Sequence, residues 1–320
     1  MTRSVTVIIG RNEGARLVAC LASIPQEQSE VIYVDSGSTD ESVAVAERAG
    51  AHVVTLDMEH PFTAARARNA GVAALTAVHD YVQFIDGDCT LDKGWIPKAQ
   101  AFLDARPDVA VVCGRRRERF PEHSIYNRLC DFEWDTPVGE AKACGGDALM
   151  RLEMFKAVGG FDGTLIAGEE PELCVRLRAA GWQVWRLDAE MTLHDAAMTR
   201  FGQFWKRAKR SGHAFAEGAM MHGAPPERHG VAQTRRALIW GVGLPLIIVV
   251  LVLTFGQWVL ILTLIYPLQI MRLALQEGGT RAAWERGLLL TLSKFAESWG
   301  ILSYYLQRLR GRQAALIEYK

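Results

Sequence analysis

The chain has 320 residues and carries 36 basic and 36 acidic side chains, so its formal net charge at pH 7 is zero. This balance lacks the strong positive field that nucleic-acid binding requires, and nucleic acid is therefore not an expected partner. The length allows one large α/β domain with an appendage, since domains usually have about 100–200 residues. The six cysteines include no C-x-x-C pair, which indicates reduced cytosolic thiols rather than a zinc cage or a disulfide framework.

Short apolar runs rich in β-branched residues alternate with helix-like segments in the first part of the chain. The runs cover residues 4–9, 30–35, 52–56, 81–85 and 108–113. This alternation predicts βα units that build an open, mostly parallel sheet flanked by helices, with ligands at the carboxyl ends of the strands. Residues Ser38-Thr-Asp-Glu41 have the spacing of a capping box and predict a helix start. No secretory signal is visible before the first run, so we expect this domain in the cytoplasm.

The composition changes near Arg235, because residues 237–271 contain no charged side chain. One straight helix over this run would be about 50 Å long, well beyond a hydrocarbon core of about 30 Å. We therefore predict a break at Thr254-Phe-Gly-Gln-Trp258 and an apolar membrane hairpin. Flanking arginines at positions 235, 236 and 272 would place both ends on the cytoplasmic side. The alternative is a helical hairpin buried in a soluble protein.

A further helical pattern follows, with large apolar side chains at helical spacing and polar ones between them. The apolar set is Leu288, Leu292, Phe295, Trp299, Leu302 and Leu306. Lys294, Glu297 and Ser298 lie between them, and arginines follow at 308, 310 and 312. The pattern predicts an amphipathic helix over about residues 285–308. It suits either an anionic membrane surface or packing against the first domain, and both alternatives stay open.

Two carboxylates one residue apart follow an apolar strand in Phe84-Ile-Asp-Gly-Asp88. Side chains two residues apart on a strand point the same way, so Asp86 and Asp88 can address one hard cation that also binds diphosphate oxygens. Alone, such a pair is more often a solvated turn. Its position directly after a buried strand favours a metal site.

Together with its neighbouring motifs, this segment resembles the family 2 glycosyltransferases of GT-A fold, over roughly residues 4–210. Val7-Ile-Ile-Gly-Arg-Asn-Glu13 and Val34-Asp-Ser-Gly-Ser-Thr-Asp40 are similar to the family's first two strands with their nucleotide-contacting loops. Ala67-Arg-Asn-Ala-Gly71 is similar to the helix that holds the nucleotide and supports the metal loop. Ser36 replaces the second acid of the usual pair. The nucleotide-sugar contacts implied by the resemblance so far are Arg11, Asn12, Glu13, Asp35, Ser36, Arg68, Asn69 and Asp86.

Later motifs resemble the loops around the donor sugar and the acceptor. Gly145-Gly-Asp147 and Gly159-Gly-Phe-Asp162 contain glycines that let the backbone approach the sugar, which implies donor contacts at Gly145, Gly146 and Asp147. Gly168-Glu-Glu-Pro-Glu-Leu173 stands where the family has Glu-Asp-x-Asp-Leu, so the resemblance implies that Glu169 and Glu170 are the catalytic acids and Glu170 the base. The alternative is a solvated helix N-terminus, where acids are favoured.

The resemblance also implies a metal site formed by Asp86, Asp88 and His194 and filled by Mn²⁺ or Mg²⁺. In an inverting transfer one carboxylate takes the proton of the attacking hydroxyl, and no separate acid is needed because the cation stabilises the leaving diphosphate. The alternative for His194 is a structural histidine.

We expect a catalytic domain over residues 1–230 and a membrane region over 231–320, in the inner membrane with the catalytic domain on the cytoplasmic side. The expected reaction is transfer from a nucleotide-diphosphate sugar to a lipid-linked or glycolipid acceptor in surface polysaccharide or glycolipid assembly. Nucleotidyl transfer on the same scaffold and a catalytically degenerate membrane scaffold stay open as alternatives. A glycine-rich, lysine-containing phosphate loop is missing from the sequence, which counts against nucleotidyl transfer.

Overall fold

The computed structural model describes residues 4–25 and 29–311. By packing, the chain divides into two compact units. The first comprises the chain up to Phe120 together with Asp131–Ala196, and the second comprises Pro121–Cys130 and the chain from Ala197 onward. The functional division near residue 230 stays a prediction. Arg312 lies outside the described residues.

The first unit is built on one sheet of nine strands within the described residues. The strands are β1 (Ser4–Gly10), β2 (Ser29–Asp35), β3 (His52–Thr55), β4 (Tyr81–Asp86), β5 (Cys89–Leu91), β6 (Val109–Glu118), β7 (Gly139–Glu140), β8 (Ala148–Arg151) and β9 (Gln183–His194). Their order across the sheet is β3-β2-β1-β4-β8-β6-β9-β5, and β7 pairs with β9. Strands expected from the five apolar runs all form, within a few residues of their predicted ends.

The sheet is mixed rather than mostly parallel. Strands β1 to β4 are parallel neighbours, as is the pair β6 and β9. Strand β8 runs antiparallel between β4 and β6, and β5 and β7 run antiparallel to β9. The α/β class is confirmed. Parallel pairing covers the first four strands and the pair of β6 and β9, and the antiparallel β8 separates these two groups. The four residues of β8 are almost fully buried and show no apolar alternation that would have predicted the strand.

Twelve α-helices occur within the described residues. They are α1 (Ala15–Ser23), α2 (Ser42–Arg48), α3 (Ala64–Ala73), α4 (Trp95–Ala105), α5 (Ile125–Glu133), α6 (Leu152–Ala157), α7 (Glu169–Ala179), α8 (Phe201–His222), α9 (Val231–Leu238), α10 (Leu244–Phe255), α11 (Ile265–Gln276) and α12 (Arg281–Leu309). The last of these covers the predicted amphipathic segment.

Helix α2 begins later than its predicted capping box. Its first residue is Ser42, and the residue before it makes no side-chain capping bond. The hydroxyl of Ser38 instead accepts the N–H of Asn12 at 2.9 Å. The carboxylate of Asp40 accepts the N–H of Ser42 at 3.0 Å and so serves the helix start. The predicted capping box is wrong, because the hydroxyl of Ser38 binds the loop after β1 and does not cap the helix.

Helix α3 packs very closely on the sheet. A Cβ atom at Gly71 would lie 2.4 Å from Cγ1 of Val7 on β1, so only glycine allows this approach. The close contact fixes the face of α3 that carries Arg68 and Asn69. In this way the sequence Ala67-Arg-Asn-Ala-Gly71 sets the distance between the helix and the ends of the central strands.

The second unit contains the predicted apolar hairpin. Helix α9 continues through a π-helical turn, Ile239–Gly243, into α10, and Gly256 with φ 96° ends α10 inside the predicted break. A 3-10 helix, Gln257–Leu264, then leads into α11. Val231–Phe255 and Gln257–Gln276 are long and apolar enough to cross a membrane. Only 6% and 11% of their most apolar windows are buried, which disfavours the alternative of a hairpin inside a soluble core.

A buried hydrogen bond in the first unit gives a stability prediction. The indole Nε1 of Trp95 donates to Oε1 of Gln83 at 2.8 Å, and both side chains are fully buried. Gln83→Leu keeps the volume but leaves the indole N–H without an acceptor, so we expect the free energy of unfolding to fall by about 1–3 kcal/mol. Thermal denaturation of the purified protein measures this loss. Adding Trp95→Phe to that variant should cost less than Trp95→Phe alone, and strictly additive losses would contradict the prediction.

Candidate active site

Three parallel strands bring the first group of predicted site residues to one edge of the sheet. In the strand register Gly10 lies beside Asp35, and Ile9 lies beside Asp86. Strands β1, β2 and β4 therefore end at the same level. The loops that follow them share the edge at which open α/β sheets bind ligands.

The loop after β1 is tied to the loop after β2 through Asn12. This residue has a left-handed backbone with φ 56°, which asparagine tolerates better than most residues. Its Oδ1 accepts the N–H of Thr39 at 2.7 Å, while its own N–H donates to Ser38. The side chain of Arg11 beside it is exposed. Glu13 forms a 2.8 Å salt bridge with Arg16, three residues further along the chain. Asn12 thus shapes the two loops that are predicted to contact the nucleotide.

Asp35 is buried at the end of β2 and organises its own loop. One carboxylate oxygen accepts the N–H groups of Gly37 at 3.0 Å and Ser38 at 2.9 Å. The other accepts the hydroxyl of Tyr33 at 3.2 Å. Ser36 is fully buried, and its hydroxyl has no hydrogen-bond partner among the described residues. The nucleotide contacts of Asp35 and Ser36 stay predictions.

A buried guanidinium joins three elements at the centre of the site. Arg68 on α3 donates to Oδ1 of Asp86 on β4 at 2.8 Å and to Oε1 of Glu169 on α7 at 2.7 Å. Burial works against its charge, but the two carboxylates outweigh burial and raise the pKa of Arg68. A buried charge is tolerated only when it is paired in this way. The two acids and the arginine therefore have to be placed together.

The loop before β8 closes over this ion-pair network. Asp147 is buried, and its carboxylate accepts the backbone N–H of Asp86 at 3.1 Å and the hydroxyl of Thr192 at 2.9 Å. A Cβ atom at Gly146 would lie 2.6 Å from the guanidinium of Arg68. Glycine at this position is thus a requirement of the network, and it brings bare backbone to the place where the resemblance puts the donor sugar.

Asn69, the neighbour of Arg68 on α3, acts on a different loop. Its side-chain amide donates to the carbonyl of Phe161 at 2.7 Å and accepts the N–H of the same residue at 3.0 Å. A Cβ atom at Gly160 would lie 2.9 Å from the Asn69 oxygen. The amide therefore fixes the Gly159–Asp162 loop. Its predicted nucleotide contact stays a prediction.

Asp88 and His194 form a separate buried pair. Strand β5 pairs with β9 so that Cys89 lies opposite His194, and this register brings Nε2 of His194 to 3.3 Å from Oδ2 of Asp88. Burial, aided by the charge of Arg116, lowers the pKa of His194, so its imidazole is neutral and keeps a lone pair for a metal. The Cys89 thiol lies close enough to join a metal-binding group, but burial raises its pKa well above the usual value.

This donor set fits a hard or borderline divalent cation. Asp88 supplies a carboxylate that is only 4% exposed, and the imidazole of His194 faces it. Oxygen donors with one imidazole suit Mn²⁺ and Mg²⁺ better than metals that prefer sulfur. Asp86 and Asp147 provide a second acidic group beside Cys89. Asp88 and His194 therefore lie together, whereas Asp86 belongs to the second group, which shares Cys89 with the first, and also binds Arg68.

Arg116 and Trp134 connect the two halves of the site, and sequence analysis did not find them. The guanidinium of Arg116 lies 3.5 Å from Asp86 and 3.4 Å from Asp147. It also stacks over the ring of Trp134, 4.8 Å from its centroid. The edge of that ring packs against His194, with centroids 4.8 Å apart and an interplanar angle of 89°. These two residues thus lie between the ion-pair network and the candidate metal pair.

The available sequence signal was the run of arginines at positions 115–117, followed by Glu118, at the end of β6. Side chains two residues apart share a face of a strand, so Arg116 and Glu118 lie on the same face of β6 as the site. The carboxylate of Glu118 lies 3.7 Å from Nδ1 of His194 and accepts the N–H of Ala196 at 3.0 Å. Trp134 lies in an irregular segment, and nothing in its local sequence marks it.

The two predicted catalytic acids have different surroundings. Glu169 is bound to Arg68, whereas Glu170 is 2% exposed and accepts the N–H of Cys144 at 2.6 Å and the thiol of Cys174 at 2.9 Å. Both donors reach Oε1, and Oε2 has no partner among the described residues. Burial raises the pKa of Glu170, although the hydrogen bonds from Cys174 and Cys144 lower it.

Known proteins share both the sequence and the fold of this chain. Residues 6–156 match the model of the family named Glycosyl transferase family 2. An uncharacterised glycosyltransferase of Mycobacterium tuberculosis strain H37Rv is 35% identical over 192 residues, which cover 58% of this chain and 84% of that protein. The chain belongs to glycosyltransferase family 2. This membership confirms the predicted enzyme class and favours glycosyl transfer over nucleotidyl transfer or a degenerate scaffold.

Two further relatives of this glycosyltransferase have named roles. The succinoglycan biosynthesis protein ExoA of Rhizobium meliloti strain 1021 is 28% identical over 221 residues, which cover 64% of the chain and 67% of ExoA. A pre-mycofactocin glycosyltransferase of Mycobacterium tuberculosis strain H37Rv is 31% identical over 211 residues, or 60% of the chain. The chain spans only 43% of that protein's length.

The GT-A fold of the glycosyltransferase is shown by solved structures. The mannosyltransferase PcManGT from Pyrobaculum calidifontis, in complex with GDP-Man and Mn²⁺, aligns with a TM-score of 0.67 at 20% identity. The alignment covers 94% of this chain and 88% of the mannosyltransferase. At this identity the likeness shows the fold and leaves the substrates to be argued from the site.

The buried ion-pair network gives a second stability prediction. Arg68→Met removes the buried cation from between the half-buried carboxylates of Asp86 and Glu169 and leaves Glu169 without its partner. We therefore expect a loss of about 3 kcal/mol in the free energy of unfolding. The matched control is Arg48→Met, whose exposed pair with Glu41 at 3.8 Å should contribute less than about 1 kcal/mol. Chemical denaturation of both variants measures the difference. Equal losses would show that the buried network contributes no more than a surface pair.

Proposed function

We propose that this glycosyltransferase moves a sugar from a nucleoside-diphosphate sugar to a lipid-linked acceptor, with inversion at the anomeric carbon. We further propose that it works at the cytoplasmic face of the inner membrane in the assembly of surface polysaccharide or glycolipid. The observation that carries the proposal is the clustering of one buried arginine network, one carboxylate–imidazole pair and one buried acid with an unpartnered oxygen. The similar mannosyltransferase with bound GDP-Man and Mn²⁺ supports the same donor class.

In this proposal Asp88 and His194, with Asp86 beside them, hold Mn²⁺ or Mg²⁺. When bound, the cation supplies Lewis-acid stabilisation for the negative charge of the leaving diphosphate. Arg68 binds one oxygen of Asp86 at 2.8 Å, and Arg116 adds a second positive charge within 3.5 Å of the same carboxylate. These arginines fix the orientation of Asp86 at the nucleotide side of the site.

Glu170 is the proposed general base. Its Oε1 is held by the N–H of Cys144 and the thiol of Cys174, which orients the free Oε2. The raised pKa of Glu170 makes its carboxylate a stronger proton acceptor, as a base for a sugar hydroxyl requires. One such base suffices for inversion, because the hydroxyl attacks from the face opposite the leaving group. Glu169 is bound to Arg68 and therefore serves to position the network.

The lipid-linked acceptor and the membrane location rest on the second unit and on one relative. The stretches Val231–Phe255 and Gln257–Gln276 have the length and composition of membrane spans. Arginines at 235, 236 and 272 flank the uncharged run, and by the positive-inside rule they support a cytoplasmic location of its ends. ExoA, which is similar over 64% of this chain, is a succinoglycan biosynthesis protein and supports a role in surface polysaccharide.

The test of the reaction is a screen of nucleoside-diphosphate sugars with the full chain in detergent, with and without Mn²⁺ or Mg²⁺. Metal-dependent release of a nucleoside diphosphate and transfer to a polyprenyl-diphosphate saccharide would support the proposal. An α-linked donor should give a β-linked product in the NMR spectrum. Release of pyrophosphate, or a product that retains the anomer, would contradict it.

The metal site predicts the effect of Asp88→Asn. This change removes one charged ligand at almost constant volume, so we expect transfer and Mn²⁺ binding to be lost while the fold is retained. Titration of Mn²⁺ by electron paramagnetic resonance, together with circular dichroism, measures binding and fold separately. Asp188→Asn is the matched control, because Asp188 is an exposed acid on β9. Full Mn²⁺ affinity in Asp88→Asn would rule out this aspartate as a ligand.

The base assignment predicts the effect of Glu170→Gln. Glutamine keeps the size and the hydrogen bonds but cannot accept a proton, so kcat should fall by about 10²–10⁴-fold with little change in the KM for the donor. Glu169→Gln is the matched isosteric change one residue away. It should lower kcat less and weaken the Arg68 network instead. A larger loss of kcat in Glu169→Gln would transfer the base role to that residue.

The same assignment predicts a pH dependence. The base must be ionised, and burial raises the pKa of Glu170 above that of an ordinary glutamate. The kcat should therefore fall as the pH drops through this raised value, and remain on its plateau above it. The acid limb should disappear from the residual activity of Glu170→Gln. A limb that persists in this variant would belong to another group.

A further inference from the structure

Helix α12 carries its large apolar side chains on the outside. The outer stripe, as we name it, consists of Trp284, Leu288, Trp299, Leu302, Leu306 and Leu309. Within it Trp299 is 60% exposed, Leu302 48% and Leu309 85%. The members recur at helical spacing, so they share one face of the helix. They form two groups, separated by the half-buried Leu292 and Phe295, and span about 38 Å from end to end at 1.5 Å per residue. Water-soluble surfaces rarely contain an apolar patch of this extent.

The buried side of α12 is built from small and polar residues. A Cβ atom at Gly300 would lie 2.0 Å from the backbone oxygen of Lys209 on α8, and one at Gly287 would lie 2.9 Å from that of Ile270 on α11. The hydroxyl of Ser298 donates to the carbonyl of Ala237 on α9 at 2.7 Å. Close approach at glycine, with hydroxyl bonds between helices, is how helices pack inside membranes.

The charged residues in the middle of α12 do not interrupt the outer stripe. Glu297 is buried, and it accepts two 2.7 Å hydrogen bonds from the ammonium of Lys294. A further bond of 2.7 Å comes from the hydroxyl of Ser293. The acid is therefore paired on the inner face. The exposed side of the helix is therefore formed by leucine and tryptophan side chains.

We propose that the outer stripe of α12 lies in the interface of a lipid bilayer, with the helix in the membrane plane. The two candidate spans in the same unit also expose large apolar side chains, such as Val250, Leu253 and Leu268. Trp299 has the ammonium of Lys209 5.9 Å from its ring centroid, the combination of an aromatic ring and a cation that suits the headgroup level. Helix α12 would thus be a third membrane contact of this unit.

An orientation in the plane of the membrane follows from what covers the inner face. Helix α8 packs along α12 and bears the basic residues Lys206, Arg207, Lys209 and Arg210. Such a helix belongs in water or among anionic headgroups rather than in hydrocarbon. Helices α9 and α11 also contact α12, at Ser298 and Gly287, so α12 borders the candidate spans as well as the basic helix. A position at the membrane surface satisfies both kinds of neighbour.

A second copy of the chain is the rival occupant, because a spacing of three and four residues also suits a coiled coil. Two observations favour the bilayer. Tryptophans stand at the start and in the middle of the outer stripe, where a coiled coil prefers leucine and isoleucine. The neighbouring candidate spans also leave their large side chains exposed in the same unit. The inference rests on the proposed membrane attachment of that unit.

The test uses the full chain in nanodiscs of phosphatidylethanolamine and phosphatidylglycerol, with a spin label at one introduced cysteine. The variants are Leu288→Cys and Leu302→Cys in the outer stripe and Ala282→Cys, which is exposed on α12 outside the stripe. Leu253→Cys reports on the candidate span. Labelled wild type sets the background, since five of the six native cysteines are buried. Power saturation then gives the accessibility of each label to oxygen and to a water-soluble nickel chelate.

We expect a several-fold higher ratio of oxygen to nickel accessibility at Leu288 and Leu302 than at Ala282. Nickel access at the stripe equal to that at Ala282 would place it in water and overturn the proposal. Low access to both reagents would mean that protein covers the stripe, as in a dimer, and would also overturn it. A lipid signal at Leu253 alone would leave the proposed membrane attachment intact while α12 fails. No lipid signal at Leu253 would overturn the attachment itself.

Discussion

The candidate site depends on the burial of one guanidinium. Arg68 can keep its charge away from water only if carboxylates surround it, so β4 must deliver Asp86 and α7 must deliver Glu169 to within hydrogen-bonding distance. The demand extends further, because any side chain at position 146 would collide with the same group. The buried guanidinium of Arg68 thereby restricts position 146, which lies 78 residues further along the chain, to glycine.

The same network explains why two adjacent acids can have different roles. Neighbouring residues on a helix point about 100° apart, so Glu169 turns to Arg68 while Glu170 turns to the loop that contains Cys144. The first acid stays paired with the guanidinium of Arg68. The second is buried beside a thiol and a backbone N–H, and burial raises its pKa. A proton acceptor and a positioning acid can therefore stand side by side.

The sequence predicted what local patterns encode. Short-range signals in the sequence predicted the first strands, the acids at 86 and 88 and the end of a helix near Gly256. The position of β8, the partnership of Arg116 with Trp134 and the use of Ser38 by Asn12 depend on contacts between distant segments. Rules about the spacing of residues along the chain do not predict such contacts. The nucleotide and metal roles remain predictions, because the geometry brings the residues together without a ligand.

The two units of the chain differ in which side chains they bury, and this difference supports a membrane location for the second unit. In the first, Trp95, Phe84 and Tyr33 are buried to within a few per cent. In the second, glycine and serine face inward while leucine and tryptophan face outward. The helical period of α12 alone could not distinguish these arrangements, since a stripe of leucine looks the same whether it faces a core or lipid. The exposure of the stripe favours lipid as its surroundings, because contact of that apolar surface with water is unfavourable and contact with hydrocarbon is not.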